Sequence, residues 1–285
     1  MKMLKSFQLT KGDVEIITHS YKHRLTTIDH ISALTGREPK RINERLYRLS
    51  ERKYLYRRQP PLAKYIYTVD RASVPILTER GVAPNEKLNL QVRNLREMSE
   101  LFLKHALMLT DIRVALVLAS RDNPIRLYSW KEGKELNDRV IFREDGKEQK
   151  VPVRPDAFVC IKDVRRPEKP MYYALEADRS TTTHARFKRK IKGYAHYFKQ
   201  GLHEKKYGIK GFRVLTITLT DARAKNLCHA SSEALPKDMR KLCYFTDISS
   251  FLKQPFGQTL TNTRDYDKGV MYSLTPPLEP DTPTN

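Results

Sequence analysis

The second half of the chain alternates between strand-like and helix-like apolar patterns, and this alternation restricts the fold more than any other feature. A long helix is predicted over 92–119, because its apolar residues recur at helical spacing. The segments that follow are strands at 125–130, 140–143, 154–161 and 171–178, a helix at 184–200, a strand at 212–220, a helix at 222–235 and a strand at 242–248. This order predicts a mixed α/β sheet with helices on both faces.

Residues 1–90 have a different pattern. Helices are predicted at 12–24, 28–36 and 38–52, and two alternating strands, KYLYRR and KYIYTV, follow with QPPLA between them. Three helices and a hairpin are the order of a winged helix-turn-helix, so we expect 1–90 to hold this domain and a connector. The α/β domain is then expected over 91–260, and the proline-rich segment 261–285 is expected to be a disordered tail.

The third predicted helix is basic on the side opposite its apolar stripe. A helix fits the major groove of DNA, where such side chains meet phosphates and base edges. The candidate DNA contacts are Lys40, Arg41, Asn43, Arg45, Arg48 and Arg52 on this helix and Arg57, Arg58 and Lys64 on the hairpin. The alternative is a winged helix that contacts only other proteins.

The net charge of +21 comes from 54 basic and 33 acidic residues, and much of it falls in two clusters. Residues 37–58 hold nine basic and three acidic side chains, and residues 186–210 hold nine and one. A polyanion, most often nucleic acid, is therefore the expected partner. The alternative is that both clusters are only solvated helix faces.

Several other classes of protein are disfavoured. No apolar run approaches the roughly 18 residues of a membrane span, and the N-terminus has no apolar core of signal-peptide length. The three cysteines form no C-x-x-C, which disfavours a zinc site and a disulfide framework. We therefore expect a cytoplasmic protein without a membrane partner. The P-loop pattern G-x-x-x-x-G-K-[ST] is also absent.

Three acids occupy informative positions in the predicted sheet. Asp156 follows Pro155 in one strand, and Glu176 and Asp178 end the next, where residues two apart share a face. If these strands are neighbours, the three carboxylates form a hard-oxygen site for Mg²⁺ or Mn²⁺. The alternative is that they are strand-end acids paired with Arg154, Arg179 or Arg186.

The helix predicted at 184–200 follows these acids directly. Its apolar stripe consists of Phe187, Ile191, Tyr194 and Phe198. Lys190 borders this stripe, so its amine would lean over the carboxylates and stabilise a phosphorane-like transition state, or else extend to solvent. The remaining basic residues of this helix that we expect at DNA are Arg186, Lys188 and Lys192.

The segments RPDAFV and YYALEADRST resemble the core of the PD-(D/E)xK, or restriction-endonuclease-like, nucleases. The order of motifs over residues 9–250 also resembles the replication-relaxation family, which includes C-type relaxases of mobilisable plasmids. Besides the winged helix, this resemblance rests on LxxxHxxxxxD (Leu101, His105, Asp111), PDA, LExDR and RxxxKxxxY (Arg186, Lys190, Tyr194).

The resemblance implies a prokaryotic protein that nicks DNA with a metal ion at a transfer origin, aided by an accessory mobilisation protein. Asp156 and Glu176 would be metal ligands, Asp178 a third ligand, and Lys190 the catalytic cation. The nuclease pattern has a lysine at the position that Asp178 occupies here. Either Lys190 takes the role of that lysine or the site is inactive. His105 and Tyr194 would support the site, although His105 also suits a core position.

The sequence thus predicts a DNA-binding, metal-dependent nicking enzyme of plasmid mobilisation or replication. The common relaxase mechanism, with clustered histidines and a tyrosine nucleophile, is disfavoured because no H-x-H occurs. Two alternatives stay open. One is a non-catalytic DNA-binding regulator that keeps the nuclease fold as a scaffold, and the other is a protein that acts on RNA.

Overall fold

The computed structural model describes residues 7–60, 64–82, 98–180 and 182–277. The chain divides into two compact units, Met1–Val114 and Ala115–Asn285. Helices and a seven-stranded sheet with both parallel and antiparallel neighbours confirm the prediction of a mixed α/β fold.

The first unit is mainly helical. Its elements are α1 (Lys11–Lys22), α2 (Ile28–Thr35), α3 (Pro39–Glu51), β1 (Leu55–Arg58), β2 (Ile66–Val69), a 3₁₀ turn (Arg71–Ser73), α4 (Val74–Glu79) and most of α5 (Glu100–Ala119). Strands β1 and β2 form an antiparallel hairpin, so the order of three helices and a hairpin is the predicted one. The assignment of a winged helix-turn-helix stays a prediction.

Local sequence explains where these helices begin and end. Thr10 and Thr27 cap α1 and α2, and each takes part in a capping box with the residue three positions later. Gly36 ends α2 at a φ of 67°, a left-handed conformation that glycine adopts at little cost. Ile42, Leu46 and Leu49 then bury the apolar stripe of α3 in the core of this unit.

The second unit is built on the large sheet. Its elements are β3 (Ile125–Lys131), β4 (Asp138–Glu144), β5 (Lys147–Val153), β6 (Ala157–Asp163), β7 (Met171–Asp178), α6 (His184–Lys199), α7 (Leu202–Tyr207), β8 (Arg213–Thr218), α8 (Asp221–Ala234), β9 (Cys243–Asp247), α9 (Ile248–Lys253), β10 (Leu260–Asn262) and β11 (Met271–Tyr272), with 3₁₀ turns at Lys134–Leu136 and Lys237–Leu242. The strand order is β11-β10-β9-β8-β7-β6-β3. Strands β7, β8 and β9 are parallel, and the other neighbours are antiparallel.

Helices α6 and α8 cover one face of this sheet. Phe187, Ile191 and Tyr194 of α6 lie in one buried cluster with Val214 of β8 and Phe245 of β9. The stripe predicted from helical spacing is therefore the packed face of α6, and it fixes which residues of α6 point toward β7.

Strands β4 and β5 form a separate hairpin that packs on α6. Strand β5 was not predicted from the sequence, because KEQKVPV is charged or polar over most of its length. A Cβ atom added at Gly193 of α6 would lie 2.6 Å from Cγ1 of Val151, so the hairpin approaches the helix where only glycine leaves room.

The prediction of a disordered tail over 261–285 is wrong for the residues up to 277. Leu260–Asn262 pairs with β9, and Met271–Tyr272 pairs with it in turn, so both extend the sheet. Asp265 anchors the segment between them, since it accepts hydrogen bonds from Tyr272 Oη at 2.6 Å and Lys268 Nζ at 3.0 Å. Residues 278–285 lie outside the described residues, and so do 83–97, which include the first residues of the predicted long helix.

Gly193→Ala is expected to lower the free energy of unfolding by about 1–2 kcal/mol, because the added methyl group overlaps Val151. Alanine favours a helix over glycine by about 1 kcal/mol, so a net loss isolates the packing effect. Urea denaturation measures the change. Gly211→Ala is the control, since its Cβ would meet Phe198 at an ordinary 3.7 Å. A Gly193→Ala protein more stable than wild type would contradict the close packing.

Candidate functional site

The candidate site lies where the end of β7 meets the start of β6. Asp156 precedes β6 by one residue, and its backbone amide donates to the Leu175 carbonyl at 2.9 Å. The Ala177 amide in turn donates to Asp156 Oδ2 at 2.8 Å. Because β6 and β7 are neighbours, as the predicted site required, Asp156 is held beside Glu176.

Glu176 is buried, with 3% of its surface exposed, and both of its carboxylate oxygens are engaged by α6. Lys190 Nζ donates to Oε2, and Tyr194 Oη donates to Oε1 at 2.5 Å. Lys190 and Tyr194 are one helical turn apart, so the packing of the α6 stripe presents both to the same acid. Lys190 therefore leans over the carboxylates and does not extend freely into solvent.

The charges of this cluster shift one another's protonation. Burial raises the pKa of Glu176, and the neighbouring charge of Asp156 adds to the effect against the opposing pull of Lys190. Burial alone would lower the pKa of Lys190, but the charges of Glu176 and Asp156 outweigh it and raise that pKa. Lys190 is therefore a fixed positive charge at neutral pH, one-third exposed beside the acids.

Asp178 has a different partner. Its Oδ2 accepts from Nε of Arg223 at 2.8 Å, and Nη2 of the same arginine donates to the Thr182 carbonyl at 2.5 Å. Within the described ranges, no group of three or more acids, histidines or cysteines is arranged to hold a metal ion. Arg223 of α8 thus binds both Asp178 at the end of β7 and the loop that leads to α6. This ion pair is separate from the pair formed by Asp156 and Glu176.

Sequence reasoning missed Arg223 and named arginines nearer in sequence. Arg223 lies at the start of the helix that follows the next parallel strand, β8. Because parallel strands end at the same edge of a sheet, its position was a usable signal. Thr216 was missed for a related reason, since only the register of β8 against β7 pairs it with Glu176.

Asp156 and Glu176 lie close enough for the charge of one to raise the pKa of the other, whereas Asp178 is paired with Arg223. Two carboxylates are hard oxygen donors of the kind that Mg²⁺ and Mn²⁺ prefer. The Thr216 hydroxyl beside Glu176 is fully buried and has no hydrogen-bond partner in the part of the chain that the structure describes. Buried hydroxyls without a partner are uncommon, and a bound ion or water is one arrangement that satisfies them.

Among the other basic residues of α6, only Arg186 is shown to act on the carboxylate site. Arg186 is exposed, and its charge acts on Lys190. Lys188 pairs with Glu233 at 2.6 Å, and Lys192 pairs with Glu144. Exposed pairs of this kind contribute about 0–1 kcal/mol, so both lysines can exchange their partners for phosphate at little cost.

The basic residues predicted on α3 divide into two groups. Arg45 bonds the buried Asp13 of α1, with Nε to Oδ1 at 2.7 Å, and Arg52 lies over the ring of Phe7. Arg45 therefore joins α3 to α1, whereas Arg52 covers Phe7 and is itself exposed. Lys40, Arg41 and Asn43 are exposed on the first half of α3, and Arg48 forms only an exposed pair with Glu44.

The hairpin residues are similarly engaged within the first unit. Arg58 donates to the Met98 carbonyl at 2.6 Å, Lys64 pairs with Asp29 at 2.5 Å, and Arg57 pairs with Glu51 at 3.1 Å. Arg57 and Lys64 form these pairs near the surface, so they still offer charge to a phosphate, whereas Arg58 is tied to the backbone.

The motif residues of α5 lie in the first unit. Asp111 Oδ1 contacts His30 Nε2 at 2.7 Å, which joins α5 to α2. His105 is partly buried on the same helix, and its support of the carboxylate site stays a prediction.

Arg223→Met is expected to destabilise the fold by about 3 kcal/mol, because it leaves the buried Asp178 without its partner. Chemical denaturation followed by circular dichroism measures this change. Lys225→Met is the matched control, since Lys225 lies on the same helix in an exposed pair and should change stability by less than about 1 kcal/mol. Equal effects of the two variants would contradict the role assigned to Arg223.

The candidate site lies in a segment of the chain that matches a known family. No described helix is long and apolar enough to cross a membrane. No curated protein and no solved structure matches the chain significantly. The family profile described as replication-relaxation matches residues 17–212, which include α3, the Asp156–Glu176 pair and all of α6. A family of that description indicates a role in replication or mobilisation and an interaction with DNA. The resemblance to the replication-relaxation family is thereby confirmed, and the chain belongs to that family.

Proposed function

We propose that this protein binds duplex DNA through α3 and cuts one strand of it with a divalent metal ion, in plasmid mobilisation or replication. The observation that carries the proposal is the cluster of Asp156, Glu176 and Lys190. A cation in contact with one acid, and within range of the charge of a second, supplies the residue types that phosphodiester cleavage by metal-activated water requires.

In this proposal Asp156 and Glu176 hold the metal ion, Mg²⁺ or Mn²⁺. When bound, the ion supplies a water of lowered pKa and neutralises charge on the phosphate under attack. Lys190 contributes a second positive charge, which stays protonated because both acids raise its pKa. Tyr194 holds one Glu176 oxygen in place, and the Ala177 amide does the same for Asp156. The exposed Arg186 guides the DNA backbone toward this cluster.

DNA selection is assigned to α3. Its first turns carry Lys40, Arg41 and Asn43, whose side chains are exposed and form no ion pair in the described residues. Residues near the N-terminal end of a recognition helix meet base edges in the major groove. Lys40 and Arg41 therefore contact phosphates or guanine, and Asn43 suits adenine.

A second candidate is a DNA-binding regulator without catalysis. The observation in its favour is that Lys190 and Tyr194 already occupy both oxygens of Glu176. The pair of Asp178 with Arg223 at the position of the motif lysine also suits a scaffold. In this hypothesis Asp156 and Glu176 hold α6 to the sheet and bind no metal ion.

Glu176→Gln and Asp156→Asn are each expected to reduce nicking of a supercoiled plasmid by at least about a hundredfold. The plasmid carries the presumed origin of the element that encodes this chain, and nicking is followed with Mg²⁺, Mn²⁺ or EDTA. Binding of Mn²⁺ by wild type and variants is measured separately by calorimetry, so that loss of the metal is seen without an activity assay. Glu168→Gln, at an exposed acid outside the cluster, is the control.

Metal-dependent open circles from wild type and the control, but from neither acid variant, would support the enzyme. Tight DNA binding with no nicking in any metal and no Mn²⁺ binding would favour the regulator.

Lys40→Ala/Arg41→Ala is expected to weaken binding to duplex DNA and to lower the slope of log affinity against log salt. The slope should fall by about one for each phosphate that the variant no longer neutralises. Fluorescence anisotropy over a salt series measures both. Lys22→Ala/Arg80→Ala removes the same charge from other parts of the first unit and should leave the slope unchanged. A competing RNA duplex that binds more tightly than DNA would contradict the assignment of the partner.

A further inference from the structure

A cavity of about 460 Å³ opens at the other end of β7 from the carboxylates. Met171 and Tyr172 at the start of β7 contribute to its wall, whereas Glu176 lies near the end of the same strand. The volume falls within the range of about 300–1,000 Å³ that is typical of small-molecule sites. None of the residues assigned to metal or DNA contact lines this cavity, so it is a separate feature.

Aromatic rings form much of the wall. Tyr172, Phe198 and Phe212 all line the cavity. Each ring is held by a neighbour: Phe198 stacks on His203 with centroids 4.8 Å apart, Tyr172 stacks on Phe158 at 6.2 Å, and Phe212 meets Phe198 at 5.8 Å with the two rings tilted. Rings that are fixed in this way form a rigid apolar surface, which suits a flat ring stacked against them.

Positive charge surrounds this apolar wall. Lys210, Lys241 and Arg213 line the cavity beside one acid, Asp238, which pairs with Lys199 at 3.3 Å. Lys210 and Lys241 are exposed, and neither side chain forms an ion pair within the described ranges. Arg213 is fixed by Tyr173, to whose hydroxyl it donates at 3.3 Å. The lining therefore carries a net positive charge with two uncommitted amines.

Flat apolar walls next to uncommitted cations match a ligand that has both an aromatic ring and an anionic group. A nucleotide has both, since its base stacks on aromatic side chains and its phosphate pairs with lysine. An acidic peptide would satisfy the lysines but would leave the rings without a flat partner. Two amines at the rim match either one phosphate monoester, which carries nearly two negative charges, or two successive phosphodiesters, which carry one each. The interaction with DNA that the family indicates favours the second, a strand with successive phosphates.

We propose that this cavity is a binding site for single-stranded DNA, which stacks one base on Tyr172 beside Phe198 and Phe212 and places its phosphates on Lys210 and Lys241. The site goes beyond the proposed nicking activity, because it needs neither the metal ion nor the carboxylates. Its chemistry suits a strand that has been unpaired, since a base inside a duplex cannot enter a cavity.

Calorimetric titration of the full chain with a short oligothymidylate, thymidine monophosphate, thymidine and inorganic phosphate tests the proposal without metal. Lys210→Ala/Lys241→Ala and Tyr172→Leu should each weaken oligothymidylate binding by about tenfold, as removal of one stacked base or its phosphates would. Lys131→Ala/Lys253→Ala is the control, since it removes two exposed lysines of the same unit outside the cavity. Thermal unfolding of each variant establishes that it is folded.

Oligothymidylate binding that falls in both cavity variants and persists in the control would support the site. Equal loss in the control would show nonspecific charge attraction and would overturn it, as would inorganic phosphate binding as tightly as the nucleotides. Equal affinity for thymidine monophosphate and the oligomer would contradict the strand. Because these titrations contain no metal, loss of nicking in the carboxylate variants leaves their outcome unaffected.

Discussion

The contact between Glu176 and Lys190 constrains the α/β unit more than any other interaction. A carboxylate buried on an internal strand of a sheet is costly unless a cation and hydrogen bonds compensate its charge. Lys190 and Tyr194 provide both, one turn apart on α6, so the helix has to pack in the register that places them over β7. The same register buries Ile191 and leaves Gly193 against the β4–β5 hairpin. The contacts that form the candidate site therefore also fix how α6 packs on the sheet.

Internal ion pairs also limit how much of the positive charge is offered to a partner. Arg45 is committed to the buried Asp13, and Arg223 is committed to the buried Asp178. Breaking such a pair leaves a buried charge uncompensated, so these arginines hold the fold and are poor candidates for reversible contact with phosphate. Lys40 and Arg41 in one unit and Lys210 and Lys241 in the other are exposed, and within the described residues they have no such partners. Net charge therefore predicts the class of partner, whereas the pairing of individual residues decides where it binds.

Much of the fold followed from periodicity, and the exceptions have physical causes. The spacing of Ile42, Leu46 and Leu49 predicted α3, and the apolar run before Glu176 predicted β7. Both predictions worked because burial imposes a regular pattern of apolar residues on each element. Strand β5 was missed because its hairpin buries only a few side chains against α6, so most of its residues are polar. Strands β10 and β11 were missed because two or three residues carry no readable period.

The sequence by itself predicted that Asp156, Glu176 and Asp178 would converge if their strands were neighbours, with Lys190 either over them or extended to solvent. A strand places alternate residues on one face, and a helix places residues four apart on one side, so local geometry supplied the prediction but not the pairing of the strands. Only the tertiary structure decided that Asp178 forms an ion pair with Arg223 and that Thr216 lies beside Glu176. It also decided that an aromatic cavity forms from β7, α6 and the residues around β8. These contacts join segments far apart in the chain, and the order of strands in a sheet is set by the burial of whole surfaces, which no local pattern records.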